Sequence, residues 1–311
     1  MEVYRDISEN IVESKSVVTI GNFDGVHLGH QEILKSVKRN AKSLFASSVV
    51  LSFYPSPAMM INPEKFQGHI DLDSEKIDKV ACQKIDKFVL LEFNDKIKNM
   101  SAEDFLKNII IKKLKPVLII VGYDHRFGFN REGDFKFLEN NKSKYGYELL
   151  KINEKFLNDE KLSSSKIRLL LNNRDVNSVS KILGQPFEIN GKVSKGRGIG
   201  KTIGFPTANI ALSHLKILPS DGVYFVKIYN HDNECHYGMC NIGVNPTISL
   251  KSKKTCEVHI FNFNQNIYSE TLKIHFIEFI RMEKKFKDIN CLKKQLIKDK
   301  NKCLEYSYNN V

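Results

Sequence analysis

Short apolar runs alternate with amphipathic stretches over the first half of the chain. Five of the runs are rich in β-branched residues and have the length of strands, and the segments between them repeat apolar residues at helical spacing. Strands that alternate with helices predict a parallel, doubly wound sheet with helices on both faces. The predicted strands are 16–20, 47–53, 87–93, 116–122 and 147–152, and the predicted helices include 28–40, 74–84 and 101–113, the last with a capping box at Ser101 and Asp104.

The pattern changes after a short helical segment at 173–184. Strands punctuated by Gly, Pro and Asn follow, and they predict an antiparallel barrel or sandwich. Between 286 and 306, apolar residues recur at helical intervals, which predicts a terminal helix packed against this part. We therefore expect two domains, 1–183 and 184–311. The predicted strands of the second domain are 187–194, 207–212, 222–230, 236–244, 256–263 and 272–280.

Composition narrows the class of protein. The hydrophobic fraction of 41% is ordinary for a globular protein, and neither a membrane-spanning run nor a signal sequence is evident, so we expect a cytoplasmic protein. Six cysteines without a C-x-x-C pair indicate reduced thiols. The net charge of +12 arises largely from lysines on helical faces, and arginine clusters interleaved with aromatic residues are not evident. We expect small-molecule substrates, with no nucleic-acid or membrane partner; the oligomeric state stays open.

The first candidate site follows the strand 16–20, where GNFDGVHLGH leads into a helix. Gly21 and Gly25 allow close approach of the backbone to a nucleotide, and His27 and His30 lie within one turn of each other near the positive end of the helix. Two imidazoles can stabilise the negative charge that develops on an α-phosphate during adenylyl transfer, with Mg²⁺ on the departing pyrophosphate. This arrangement predicts an ATP-dependent nucleotidyl transfer.

Two further segments support that site. The loop 122–134 follows a buried strand and places Asp124 and Arg126 at the same sheet edge, as expected of a binding loop. The alternative is that it is an ordinary polar loop without a binding role. The segment KLSSSKIR begins a helix with serines and carries Arg168 in its first turn. The free N–H groups at the helix start, the serine hydroxyls and the guanidinium together form a suitable binding site for phosphate. The alternative is that the serines only cap the helix.

The second domain carries a glycine-rich stretch, GKVSKGRGIGKTIGFPTANI, that matches neither the P-loop nor the dinucleotide-binding spacing. It leads to Thr207 and Asn209, whose hydroxyl and amide oxygens suit Mg²⁺ held by ATP phosphates. Glu257, in an apolar strand, is either a partly exposed strand residue or a base that takes a proton from an alcohol. A zinc site is disfavoured because Cys256 and His259 point to opposite faces of one strand; it would also have used Cys235 and Cys240.

The N-terminal motifs resemble the nucleotidylyltransferase superfamily, and more narrowly the FMN adenylyltransferase module of bacterial bifunctional riboflavin kinase/FAD synthetases. GNFDGVHLGH, an F-x-P-x-P motif, G-x-D-x-R-F-G, R-x-G-D and SSSKIR occur in family order. His125 departs from the aromatic residue that the family usually has. The resemblance implies that ATP contacts Gly21, Asn22, Phe23, Asp24, His27, His30 and Asp124, that its terminal phosphates contact Ser164, Ser165 and Arg168, and that the flavin side carries Phe53 and Pro55.

The C-terminal motifs are similar, in order, to the riboflavin kinase module, which implies a barrel. By this resemblance Thr207 and Asn209 bind Mg²⁺–ATP, the loop with Gly196, Gly198 and Lys201 covers phosphates, and Glu257 deprotonates the riboflavin 5′-hydroxyl. The implied function has two steps: ATP phosphorylates riboflavin to FMN, and a second ATP adenylylates FMN to FAD. Two alternatives stay open, a nucleotidylyltransferase of single activity with an accessory barrel and a basic nucleic-acid-binding protein.

Overall fold

A computed structural model of the chain describes residues 1–7, 11–157, 160–196, 199–244 and 254–309. The chain divides into two compact units, Met1–Ser164 and Ser165–Val311. The helical segment at 173–184, which the sequence analysis placed at the end of the first domain, therefore lies in the second compact unit. The division into domains 1–183 and 184–311 concerns the catalytic modules and stays a prediction.

In the described part of the first unit, six parallel strands form one sheet, in the order β1-β4-β3-β2-β5-β6. This confirms the predicted doubly wound parallel sheet, and all five predicted strands are present. The short edge strand β1 was missed, because its three residues carry no apolar run. The strands are β1 (Glu2–Tyr4), β2 (Ser16–Ile20), β3 (Ser47–Tyr54), β4 (Lys87–Glu92), β5 (Pro116–Gly122) and β6 (Glu148–Ile152), followed by a small antiparallel pair, β7 (Phe156–Leu157) and β8 (Glu160–Lys161).

Helices cover both faces of this sheet. Alternate residues of the central strands belong to two separate hydrophobic clusters, with Val18 in one and Val17 in the other. Burial on both faces explains why the strands are continuously apolar in sequence. The helices are α1 (Leu28–Ser43), α2 (Pro57–Ile61), α3 (Asp73–Cys82), α4 (Asp95–Lys98), α5 (Ala102–Phe105), which continues in wider π-helical turns over Leu106–Leu114, and α6 (Phe135–Tyr145), with short 3₁₀ turns at Pro63–Lys65 and Phe129–Arg131.

The start of α5 is fixed as the sequence predicts. Ser101 is its N-cap, and its Oγ accepts a hydrogen bond from the backbone N–H of Asp104 at 3.1 Å. The same hydroxyl donates to the Asp104 carboxylate at 2.8 Å, in place of the backbone contact of a full capping box.

The second unit contains a closed barrel of antiparallel strands, in the order β10-β13-β12-β11-β14-β9 among the residues that the structure describes. Closure decides between the predicted barrel and sandwich. The strands alternate inward apolar and outward polar residues, as in the buried and exposed positions of Phe187–Ser194. The elements are α7 (Ser164–Asn172), α8 (Val176–Leu183), β9 (Phe187–Ser194), α9 (Ile199–Thr202), β10 (Ala208–Ala211), β11 (Gly222–Tyr229), β12 (Cys235–Val244), β13 (Lys254–Ile260), β14 (Thr271–Arg281) and α10 (Ile289–Asn309).

The terminal helix α10 packs on the outer face of the barrel, as predicted. Leu292, Leu296 and Leu304 contact a buried cluster that includes Phe225 and Met239. The helix is also tied to the end of β14, because the guanidinium of Arg281 donates to both carboxylate oxygens of Asp299, at 2.7 and 2.9 Å. A paired, bidentate geometry is what makes a buried charge such as Asp299 tolerable.

All six cysteines carry free thiols, although the sulfur atoms of Cys240 and Cys256 lie 3.5 Å apart. Over the described ranges, no helix has both the length and the apolar character needed to cross a bilayer.

Candidate active sites

The loop between β2 and α1 lies at a switch point of the sheet. Strand β2 is central, with β3 on one side and β5 on the other, and all three end at the same edge because they are parallel. Ligands of doubly wound sheets bind at such a crevice beyond the carboxyl ends of the strands. Asp124 follows β5 at this edge and is exposed, and Phe53 and Pro55 lie at the end of β3.

His27 and His30 form a stacked pair at the beginning of α1. Their ring centroids are 3.7 Å apart and their planes differ by 16°. His27 is the N-cap residue, and its Nδ1 accepts the backbone N–H of His30 at 3.3 Å. Since Nδ1 is an acceptor, the proton of a neutral His27 lies on Nε2, which is left as a donor.

Both imidazoles are neutral at pH 7. Burial lowers the pKa of His27 to about 4, against the opposing attraction of Asp124 and Asp24. Burial, with the charges of His27 and Lys76, also brings the pKa of His30 well below its usual range. The pair therefore presents N–H donors that have already lost their hydration, rather than two solvated cations.

The loop that carries the histidines is buried and strained. Phe23 and Val26 have positive φ angles, 48° and 28°, which non-glycine residues rarely adopt. Phe23 is buried, and its ring meets that of His30 edge-on at 5.2 Å. The side chain of Phe23 thus packs against the ring of His30, and only the backbone of Phe23 remains for a contact with a nucleotide. Gly21 leaves room for this ring, because a Cβ there would lie 3.1 Å from Phe23.

Asp24 holds the same loop to the segment before α3. Its Oδ1 accepts the backbone N–H groups of Ile70 at 2.9 Å and of Asp71 at 3.1 Å, and its side chain is buried. The backbone oxygen of Asp24 accepts the Ser164 hydroxyl at 2.7 Å. Two of the predicted nucleotide-binding residues are therefore in direct contact with each other.

Some polar atoms at this loop are buried and unpaired. Among the described residues, neither Asn22 Oδ1 nor His30 Nδ1 has a hydrogen-bond partner. Buried polar groups are normally paired, so such atoms at a loop mark a place where a polar ligand or water completes the structure.

Lys76 is a buried residue near this site that the sequence analysis did not identify. It lies in the first turn of α3 with only 1% of its surface exposed, and its Nζ is 3.9 Å from Asp73 Oδ1. Burial lowers its pKa, and the charges of Asp24, Asp73 and Asp71 oppose this shift. In a chain with so many lysines, only three-dimensional placement distinguishes this one.

The remaining predicted phosphate-binding residues, Ser165 and Arg168, lie in the second unit. Ser165 is exposed and Arg168 is half-buried, both in α7. Their part in phosphate binding stays a prediction. Arg126, which the sequence places on the β5 loop, donates to Asp134 at 2.7 Å.

The second candidate site lies on the outer face of the barrel. Asn209 on β10 stands directly opposite Glu257 on β13. The predicted metal ligand and the predicted base are therefore cross-strand neighbours on one face, with Cβ atoms about 5 Å apart. Thr207 precedes β10 and is exposed.

Two glycines are packed against the predicted metal ligands. A Cβ on Gly196 would lie 1.9 Å from Asn209 Nδ2, and one on Gly200 would lie 2.2 Å from Phe205 O and 3.3 Å from Thr207 Oγ1. Only glycine fits at these places. Lys201 is exposed in the short helix α9, and Gly198 lies outside the described residues.

His259 fixes the segment before Thr207. It is on the same face of β13 as Glu257, and its Nδ1 donates to the carbonyl oxygen of Pro206 at 2.7 Å. Burial lowers its pKa, so the ring is neutral. Within the described ranges, no cluster of three His, Cys, Asp or Glu side chains could hold a metal.

A cavity of about 280 Å³ adjoins this site. It lies between the end of β9 and the segment 268–269, and its lining includes Ser194, Lys195, Ala211 and Tyr268. Ser194 Oγ donates to the backbone oxygen of Asn209 at 3.2 Å, so the cavity is continuous with the strand that carries the predicted metal ligand.

The first unit is a doubly wound sheet with a histidine pair at its switch point. The barrel of the second unit carries a polar row on its outer face, formed by Asn209 and Glu257, next to Gly196 and Gly200. These features together indicate a class of protein, a two-domain transferase. Comparison with known proteins identifies the family. The FAD synthetase family model matches residues 9–166, and the riboflavin kinase family model matches residues 183–307.

Relatives named bifunctional riboflavin kinase/FMN adenylyltransferase extend over nearly the whole chain. That of Buchnera aphidicola (subsp. Schizaphis graminum) is 39% identical over 93% of both chains, and that of Haemophilus influenzae is 34% identical over 96% of this chain and 97% of its own. A solved structure described as the macrolide-efflux protein of Streptococcus pneumoniae is 29% identical, with a TM-score of 0.86 over 96% of this chain and 97% of that one.

The chain belongs to the bifunctional riboflavin kinase/FMN adenylyltransferase family. It is an enzyme of FMN and FAD biosynthesis with both activities. The riboflavin kinase match over the barrel shows that this domain carries an activity and is not only an accessory module. The family match identifies an enzyme, in place of the basic nucleic-acid-binding protein that was the second alternative.

Proposed function

We propose that two separate sets of residues carry the two reactions, the histidine pair in the first unit and the Asn209–Glu257 row on the barrel. The observation that carries this proposal is the stacked, neutral pair of His27 and His30 at the switch point of the sheet. It lies within the segment similar to FAD synthetases, whereas Glu257 lies within the segment similar to riboflavin kinases.

In the adenylyl transfer, a phosphate oxygen of FMN attacks the α-phosphorus of ATP. A new P–O bond forms, the bond to the β-phosphate breaks, and pyrophosphate leaves. His27 and His30 donate hydrogen bonds to the α-phosphate oxygens, where negative charge increases. The buried Lys76 adds positive charge next to His30. Neutral imidazoles suit this task because they need no reorganisation of solvent.

The other residues of this site bind the substrates. ATP lies against Gly21, Asn22 and the backbone of Phe23 and Asp24, with Asp124 on the opposite loop. The unpaired Asn22 Oδ1 and His30 Nδ1 support a polar ligand here. Ser164, Ser165 and Arg168 bind the terminal phosphates, and Phe53 with Pro55 forms the flavin side, where Phe53 meets Phe93 at 5.7 Å.

In the kinase reaction, Glu257 takes the proton of the riboflavin 5′-hydroxyl. The hydroxyl oxygen then bonds to the γ-phosphorus of ATP, and ADP leaves with the electrons of the broken P–O bond. The loop that contains Gly196, Gly198 and Lys201 would cover the ATP phosphates. His259 acts indirectly, by holding the segment that leads to Thr207.

Thr207 and Asn209 would hold Mg²⁺. Their hydroxyl and amide oxygens are hard donors, and Gly196 and Gly200 leave space beside them that any larger residue would fill. When bound there, Mg²⁺ neutralises charge on the ATP phosphates, and it is expected with pyrophosphate in the first unit as well. We expect the enzyme to work in the cytoplasm.

The test uses a variant of the kinase site and measures both reactions separately. Glu257→Gln should lower FMN formation from riboflavin about 10²- to 10⁴-fold, the usual contribution of a general base, and leave FAD formation from supplied FMN unchanged. Glu305→Gln, on the exposed surface of α10, is the matched control. Unchanged kinase activity in Glu257→Gln would exclude Glu257 as the base.

A further inference from the structure

The polar row on the barrel continues beyond Glu257. Asn241 on β12 stands directly opposite Glu257, on the side away from Asn209. Residues directly opposite each other in an antiparallel ladder share a face, with Cβ atoms about 5 Å apart. Glu257 is therefore flanked by an asparagine on each side, and only one of the two is explained by ATP binding.

Glu283 holds the second asparagine. Asn241 Nδ2 donates to Glu283 Oε1 at 3.0 Å. Gly243, two residues further along β12, makes this contact possible, because a Cβ there would lie 2.2 Å from the same Oε1 atom. The carboxylate of Glu283 thus lies over the outer face of β12, beside the row.

The segment that carries Glu283 is anchored. Arg281, two residues earlier, donates to Asp299 of α10 at 2.7 and 2.9 Å and to the backbone oxygen of Met282 at 2.8 Å. Asp299 is buried, so the anchor is shielded from solvent. An exposed carboxylate on an anchored segment is positioned in advance for a ligand, unlike an ordinary surface glutamate.

Phosphoryl transfer places donor and acceptor on opposite sides of the phosphorus atom. If ATP lies on the Asn209 side of Glu257, the alcohol extends away from it, toward Asn241 and Glu283. The ribityl chain of riboflavin carries hydroxyls on successive carbons next to the reacting 5′-hydroxyl. An amide and a carboxylate are the groups that pair with such hydroxyls.

We propose that Asn241 and Glu283 form a polyol-binding pair that recognises the secondary hydroxyls of the ribityl chain. They are specificity-determining residues of the kinase reaction. This proposal rests on the proposed function, because the pair owes its place to its position next to Glu257.

The test uses riboflavin and a flavin analogue whose side chain keeps only the terminal hydroxyl. Both are phosphorylated by the full chain with Mg²⁺ and ATP, and the products are separated by chromatography. The wild-type chain should prefer riboflavin in kcat/KM. Glu283→Ala should lower kcat/KM for riboflavin about tenfold or more, since a hydrogen bond to a charged group is lost, and leave the analogue and the KM for ATP unchanged.

A structural role for Glu283 predicts a different result. If Glu283→Ala lowers kcat/KM equally for riboflavin and for the analogue, or leaves riboflavin unaffected, the proposal is wrong. Glu305→Ala, on α10, is the control and should not alter the preference.

An exchange of the two groups provides a second test. Asn241→Asp alone places two carboxylates together and should raise the KM for riboflavin. Adding Glu283→Gln restores an amide donor opposite a carboxylate and should recover most of the loss; no recovery would contradict a functional pair.

Failure of this proposal is distinguishable from failure of the proposed function. Full kinase activity in Glu257→Gln would overturn the base assignment and, with it, the placement of this pair. An inactive Glu257→Gln together with unaltered substrate preference in Glu283→Ala would overturn the polyol pair alone.

Discussion

Asn209 and Glu257 are directly opposite each other on neighbouring strands of a closed barrel. The residue that would bind Mg²⁺–ATP and the residue that would take the proton are thus held at a fixed separation by backbone hydrogen bonds. Sites built on strands are more precisely positioned than sites on loops.

Gly196→Ala should disable the kinase reaction selectively. A Cβ at this position would lie 1.9 Å from Asn209 Nδ2, so Asn209 must leave its place beside Glu257. Because misplacement by about 1 Å can cost 10²-fold in rate, we expect a loss of about that size in FMN formation. The measurement is kcat for riboflavin phosphorylation, alongside FAD formation from supplied FMN.

A matched control for this change is Gly146→Ala in the first unit. The added Cβ there meets no atom within 4 Å, and the only cost is the strain of a φ of 72°. Retained riboflavin phosphorylation in Gly196→Ala would contradict the close packing of this glycine on Asn209.

Two substitutions of His27 separate its structural role from its chemical role. Asparagine can still cap α1, because its side-chain oxygen accepts the backbone N–H of His30, but it lacks the Nε2–H donor. His27→Asn should therefore lower FAD formation about 10²- to 10³-fold, as expected for a lost transition-state donor, with little effect on stability.

His27→Ala should lower FAD formation to a similar degree and should also lower the free energy of unfolding by about 1 kcal/mol, since the cap is lost. Both variants should keep wild-type FMN formation from riboflavin. Equal FAD formation by His27→Asn and the wild-type chain would show that His27 acts only as a helix cap.

Lys76→Met should weaken the adenylyl transfer and leave the kinase reaction unchanged. Methionine fills similar space but removes a buried positive charge next to His30 and Asp24. We expect FAD formation to fall by roughly 10²-fold, the scale of a lost electrostatic contact to the transition state. Lys35→Met, exposed on α1, is the control; equal activity of the two variants would rule out a role for Lys76.

The buried His27 also predicts a pH dependence of stability. Its pKa is about 4 in the folded chain, against an ordinary value of 6.5. Between these values the unfolded chain binds a proton that the folded chain does not, so the free energy of unfolding decreases as the pH falls below about 6.5. At pH 5 the loss from this group should be about 2 kcal/mol.

Urea unfolding at pH 7 and at pH 5 measures this effect. The difference between the two pH values should be smaller in His27→Asn than in the wild-type chain, because asparagine does not titrate. An identical difference in both chains would contradict a neutral, buried His27.

The sequence predicts the sheet well because buried parallel strands are continuous apolar runs, as in Pro116–Gly122. It predicts the histidine pair because His27 and His30 are local, within one turn of one helix. Strand β1 escapes detection because Glu2–Tyr4 is short and lies at the sheet edge.

The sequence does not predict the register of the barrel strands, that is, which residues of neighbouring strands lie opposite each other. Asn209, Asn241 and Glu257 are far apart in the chain, and only the pairing of β10, β12 and β13 places them in one row. Lys76 was missed for a related reason, since its burial depends on how α3 packs against the loop of Asp24. Long-range contacts of this kind separate a list of candidates from a site.

The measurement that tests the central claim most directly is a time course with riboflavin, ATP and Mg²⁺, followed by chromatography of the flavins. Two sites acting in sequence predict that FMN accumulates first and that FAD and pyrophosphate then appear as FMN is consumed. FMN alone would contradict the assignment of the histidine pair to adenylyl transfer, and no FMN from riboflavin would contradict the kinase site on the barrel.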